Sequence, residues 1–198
     1  RMYASAGVLS IETEKPHFEN ERNSAFRVQM RGGSFGYVSP SIRWWQKAGS
    51  RTSFSLNGNY MRADGNYPFT LVNGKYVTEE KRNNSAIYTY QIEPTLFHTF
   101  KDSSNLELKA YYFYSKRGLP GSVTLYNPIS DETLWDENVF IQTRYKKDFS
   151  QKWSLQAQAK YNHGWNKYED KGNEYADGLY RAVHRQDEYY LSATALYR

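Results

Sequence analysis

Four histidines, a run of acids and a set of aromatic residues between strands are the side chains here whose types could do chemistry. His17, His98, His163 and His184 lie on different segments, and no two stand at the i, i+4 spacing that puts two metal ligands on one helix face. His163 falls on the apolar side of a strand. A lipase at a membrane rim would need a Ser beside it, and a lone His there is more simply an interfacial side chain. Asp131, Glu132, Asp136 and Glu137 form an acidic cluster in a connection. It lacks the ligand-rich spacing of a calcium loop, so a solvated loop is the simpler account. The sequence therefore points to no catalytic residue, no metal site and no cofactor, and not to an enzyme. Tyr67, Phe69, Tyr76, Tyr126 and Trp135 remain, all in long connections. They could stack on a ligand without committing a charge. Packing on one another, or anchoring at an interface, would use the same residue types.

The elements that must position these residues are strands. Residues 152–167, K-W-S-L-Q-A-Q-A-K-Y-N-H-G-W-N-K, put Trp153, Leu155, Ala157, Ala159, Tyr161 and Trp165 on one side. Ser154, Gln156, Gln158, Lys160, Asn162, Gly164 and Asn166 fall on the other. Period-2 alternation is the mark of a strand with one apolar and one polar face. Such a length, tilted by ~40°, crosses a bilayer core of ~25–30 Å, with aromatics at both ends. The same alternation recurs over 24–32, 37–47, 51–63, 85–101, 106–116, 138–149 and 186–198. Pro40 and Pro94 each remove a ladder donor inside a strand, which suggests local bulges.

The connections alternate in length. Those after the second, fourth and sixth strands are about four residues; 64–84, 117–137 and 169–185 are long. Short turns at one end and long loops at the other are the habit of outer-membrane barrels. Long structureless loops are uncommon in compact soluble domains. Composition fits. The 198 residues include 19 Tyr and no Cys, mean hydropathy is −0.87, and no apolar run is long enough for a membrane helix. Barrel strands hide their apolar half in alternation, so a low mean does not argue against a membrane. The net charge of +5 is spread among acids in turns, not gathered on one element, which argues against nucleic acid.

Three stretches carry a family resemblance. Residues 4–16, A-S-A-G-V-L-S-I-E-T-E-K-P, resemble the end of the plug domain of TonB-dependent outer-membrane transporters, with Ala6 and Ser10 where that family usually has Gly and Asn. Gly32-Gly33-Ser34-Phe35-Gly36 is similar to the G-S-F-G element after their first barrel strand. Arg117-Gly118-Leu119-Pro120-Gly121 is similar to the R-G-x-P-G element after a later one. The resemblance implies an all-β, transmembrane antiparallel barrel: 1–16 as the last plug strand, and 17–198 as about eight strands of a larger, 22-stranded wall. It implies a segment of a Gram-negative outer-membrane transporter that binds a scarce nutrient, such as a siderophore or cobalamin, at the extracellular face. The implied partners are the rest of the transporter, TonB through a missing N-terminal part, and the lipid bilayer. The final Tyr197-Arg198, where complete barrels commonly finish on an aromatic, agrees with an incomplete chain. The alternative is a complete eight-stranded barrel with a structural or adhesive role, which requires the first strand to pair with the last.

Overall fold

The computed structural model describes residues 23–122, 130–172 and 178–197. The plug-like stretch 4–16 and Tyr126 lie outside them. Among the described residues ten strands form: β1 (Ser24–Gly32), β2 (Val38–Lys47), β3 (Thr52–Ala63), β4 (Pro68–Asn73), β5 (Tyr76–Lys81), β6 (Ile87–Thr99), β7 (Asn105–Leu119), β8 (Glu132–Asp148), β9 (Trp153–Asp170) and β10 (Tyr180–Tyr197). Eight of them make one antiparallel meander in the order β1-β2-β3-β6-β7-β8-β9-β10, and β4 and β5 make a separate hairpin. The fold is all-β, as the alternation predicts. The large sheet is open. Among the described residues β1 and β10 do not pair, so each is an edge.

The register brings the alternating apolar set of each strand to the same face. The row through Val28 runs Val28, Ile42, Gly58, Ile92, Tyr112, Val139, His163, Asp187. It starts in the middle of the apolar run Phe26, Val28, Met30 of β1. On β10 the apolar run goes from Tyr189 to Tyr197 and centres on Ala193, six residues beyond Asp187. The apolar band therefore crosses the sheet obliquely.

Burial is inverted relative to a sheet packed on a water-excluding core. Val28 is 74% exposed and Leu191 82%, and Phe26, Met30, Ile141 and Tyr189 are exposed beside them on the apolar face. Of the buried strand residues, Ser39, Ser55, Thr95, Ser115 and Phe97 lie on the polar face, and Glu169, beyond the apolar band, on the other. That face is cross-linked between strands. Glu93 accepts from Asn57 Nδ2 at 3.2 Å and meets Lys109 Nζ at 3.5 Å. Asp136 meets Arg117 at 3.1 Å and also accepts from Asn166. Tyr111 and Phe140 stack at 4.8 Å, with Lys160 Nζ 4.4 Å from the Phe140 ring centre.

Neither proline makes a bulge. Pairing between β2 and β3 lapses at Ser39 and Pro40 but resumes in the same register, and so does that of β6 with β7 at Glu93 and Pro94. In an antiparallel strand a residue's N–H and C=O point to the same neighbour. Each proline turns that side toward the lapse and keeps its partner on the other side, Met30 for Pro40 and Leu56 for Pro94.

Two of the expected loops are shorter than predicted, and the third is built. β7 and β8 run into 117–137, and β9 and β10 into 169–185, where the ladder continues beyond the apolar band. Within 64–84 lies the β4–β5 hairpin. Its two-residue turn has Gly74 at φ 60°, the positive value its first central position demands.

Candidate functional site

The three tight turns share one end of the sheet. Ala48 N bonds Thr52 O, Phe100 N bonds Ser104 O, and Phe149 N bonds Trp153 O. The opposite end carries the β1–β2 turn, the hairpin, the end of β7 and start of β8, and the end of β9 and start of β10. The candidate site lies at this second end, where the hairpin is stitched to its neighbours.

The hairpin's two legs leave from β3 and return to β6, and both are held near the sheet. Asp64 N donates to Phe35 O at 2.8 Å, and Arg82 N to Tyr67 O at 2.9 Å. Asn84 takes a left-handed φ of 47°, which Asn tolerates better than most side chains. Its Nδ2 donates to Leu119 O at 3.0 Å and Glu132 O at 2.7 Å, clipping the end of β7 and the start of β8 together. Arg82 Nη2 donates to Gly121 O at 2.7 Å. Gly118 passes so close to Asn84 that a Cβ would collide with its backbone carbonyl and Oδ1. The R-G-x-P-G stretch is thus where the hairpin's return leg docks.

Tyr67 and Phe69 meet at the hairpin base, ring centres 6.2 Å apart, and Phe35 adds an edge contact to Tyr67 at 6.2 Å. Tyr76 sits beside the hairpin turn and is 72% exposed. The structure thus places three of the sequence candidates on one hairpin. Phe35 joins them unforeseen. Its signal lay in the Gly-rich turn, where it stands at φ 57° between glycines. Residues 32–36 also carry G-x-S-x-G spacing, but they join two antiparallel strands, not the strand and helix that aim a nucleophilic serine.

Trp135 is elsewhere. It lies in β8, not in a loop, in a row between Lys116 of β7 and Lys167 of β9. Lys167 Nζ is 3.8 Å from its ring centre and Lys116 Nζ 5.4 Å, a cation–aromatic sandwich. Lys167 and Arg181 both reach Glu169 Oε1, at 3.3 and 2.8 Å. Trp135 shares the face of Tyr112 and Ile141, so the structure does not bring it to Tyr67 and Phe69.

The acidic cluster is spread along β8: Glu132 and Asp136 share the polar face four residues apart, and Glu137 falls on the other face. Asp136 is tied to Arg117, while Glu132 accepts from Tyr168 Oη at 2.9 Å. Among the described residues no group of three His, Cys, Asp or Glu could hold a metal ion. His163 Nδ1 lies 2.8 Å from Asp187 Oδ1, which also accepts from Tyr161 Oη at 2.8 Å. His98 meets Thr52 Oγ1 at 2.8 Å. What the second end offers is uncharged aromatic surface on a projecting hairpin, suited to stacking.

A scan against protein-family models finds no match to this chain, and a search of curated proteins finds none either.

Proposed function

We propose that this chain forms part of the wall of an outer-membrane transporter of the TonB-dependent type, with the β4–β5 hairpin on the cell exterior and the three tight turns in the periplasm. The observation that carries this reading is the inverted burial: exposed apolar side chains on one face, buried polar ones on the other. Soluble monomers rarely expose contiguous apolar patches larger than a few hundred Å², whereas a wall facing lipid requires one.

The slant of the apolar band supports the same reading. A lipid-facing band must lie level with the membrane, so its slope against the strand register is the strand tilt. Six residues at ~3.3 Å, over seven strand spacings of ~4.8 Å, give ~30°, close to the ~35–45° of outer-membrane barrels. The open sheet favours a piece of a larger wall over a closed barrel of eight strands. The polar face then looks into the lumen. Tyr67, Phe69 and Tyr76 are the contacts offered to a scarce nutrient such as a siderophore or cobalamin. Energy relayed through TonB drives its import.

Intact cells test both halves. Cys at Asn73, in the hairpin, should react with an impermeant maleimide, and Cys at Ser103 only after the outer membrane is permeabilised. Uptake of labelled cobalamin or ferric siderophore by cells expressing the complete protein should stop when TonB is removed. Labelling at Ser103 but not Asn73 inverts the topology, and uptake indifferent to TonB removes the transporter.

A further inference from the structure

The polar face of β1 and β2 carries three guanidinium groups that no acid among the described residues answers. Arg27 and Arg43 stand directly opposite each other across the ladder, and Arg31 lies on the same face of β1. Like charges directly opposite on a sheet destabilise it. Among the described residues neither Arg27, Arg31 nor Arg43 has an ion-pair partner. Gln29 contacts Arg31 Nη2 at 3.5 Å, a neutral neighbour that leaves the charge in place. Arg43 is opposed on β3 by Asn57, and Asn57 by Glu93 on β6. That carboxylate is already engaged by Asn57 and Lys109.

Around these charges the face is lined by neutral hydrogen-bonding groups. Ser39, Ser41, Asn57, Asn59 and Gln91 line a cleft of about 350 Å³ together with the three arginines. That volume falls at the lower end of small-molecule sites. Guanidinium groups bind phosphates and carboxylates through two parallel N–H bonds, which neutral side chains cannot replace. The serine hydroxyls and amides around them can take up the remaining oxygens.

We propose that this cleft is a binding site for a small multivalent oxyanion, a phosphate- or carboxylate-bearing ligand, gripped by Arg27 and Arg43 from opposite strands and by Arg31 at one end. The site needs only the register of β1, β2 and β3, not a membrane and not a transport role. An anion between Arg27 and Arg43 removes their mutual repulsion, so binding and stability are linked.

Calorimetry on the full chain in detergent tests it, whether the chain is monomeric or associated through its sheet edges, because the site needs only β1, β2 and β3 in register; pyrophosphate and tricarballylate serve as phosphate and carboxylate probes at low salt. At least one should bind saturably, and Arg27→Gln and Arg43→Gln should each weaken it at least tenfold. Arg185→Gln, on the apolar face, should leave it unchanged. In thermal melts the bound probe should raise the midpoint of the wild type but not of Arg43→Gln, which keeps the test open should binding heats be small. Without probe, Arg43→Gln should melt no lower than the wild type. Absence of saturable binding by both probes overturns the site, and so does binding equally tight in the Arg27 and Arg43 variants.

Discussion

Asp102 sits in the turn between β6 and β7 and accepts three hydrogen bonds: from Lys147 Nζ at 2.8 Å, Ser104 Oγ at 2.7 Å and Ser104 N at 3.1 Å. The Lys147 bond first, then the two from Ser104, hold its carboxyl well below the usual carboxylate range. A carboxyl with a depressed folded pKa stabilises the fold above its unfolded value of ~3.9, and loses that effect as pH falls toward the folded value. Asp102→Asn should therefore melt below the wild type at pH 7, and the gap should narrow as pH drops below about 4. Melting curves from pH 7 to pH 2 check this, and a gap constant over that range would remove the electrostatic account. Gly118 gives a steric counterpart. Its position against Asn84 leaves no room for a methyl group, so Gly118→Ala should cost ~1–3 kcal/mol, as overpacking does. Denaturant titration reads the cost, and a neutral substitution would mean that the return leg of the hairpin is free to move away. Neither feature was legible in the sequence. Asp102 stood in a recognised turn, but its partner Lys147 comes from β8, 45 residues on. Gly118 stood inside a recognised motif, but nothing in the motif says that Asn84 is what it must clear.

At the scale of the element, β9 holds the sharpest contrast. Trp153, Leu155, Ala157, Ala159 and Tyr161 share one face, and Gln156, Gln158 and Lys160 the other. If the apolar face meets lipid, Ala157→Lys should cost ~2–4 kcal/mol near the bilayer midplane, and Gln158→Lys far less. Folding titrations into lipid vesicles measure the difference, and equal tolerance of the two would sink the membrane assignment. This alternation is what made β9 readable from sequence, along with β1, β2, β3 and β6. The same criterion failed where it had nothing to alternate. Residues 132–137 and 180–185 show no period-2 pattern, since Leu134 and Trp135, and Ala182 and Val183, are adjacent and fall on opposite faces; they looked like loop, yet the ladder continues through them. Ion pairs such as Arg117–Asp136 and Arg181–Glu169 reinforce these extensions. The hairpin was missed for a related reason. Asn73 and Gly74 gave a turn signal inside a segment taken whole as a connection, and Pro68–Asn73 and Tyr76–Lys81 are only six residues each.

At the scale of the whole molecule, the two edges decide how the sheet can exist. Among the described residues β1 and β10 pair on one side only, and β10 is 18 residues long. Each edge presents a row of unpaired N–H and C=O groups. In water such an edge is a template for another chain, the more so beside exposed Phe26, Val28, Tyr189 and Leu191. In hydrocarbon it is worse, because each unsatisfied backbone group there costs several kcal/mol. Flanking strands in a larger wall would satisfy both rows at once. The 198-residue chain expressed by itself should therefore not form a monomeric, heat-modifiable barrel in detergent, and should associate through β1 and β10. Adding strands on both sides should restore a monomer. Breaking the edges chemically should reduce association without restoring a barrel: Leu191→Pro removes a donor, and Val28→Lys places a charge on the apolar face. Size-exclusion chromatography with light scattering, and gel mobility with and without boiling, distinguish the outcomes. A heat-modifiable monomer from residues 1–198 would mean that β1 and β10 close on each other, and would favour the small structural barrel over the transporter wall.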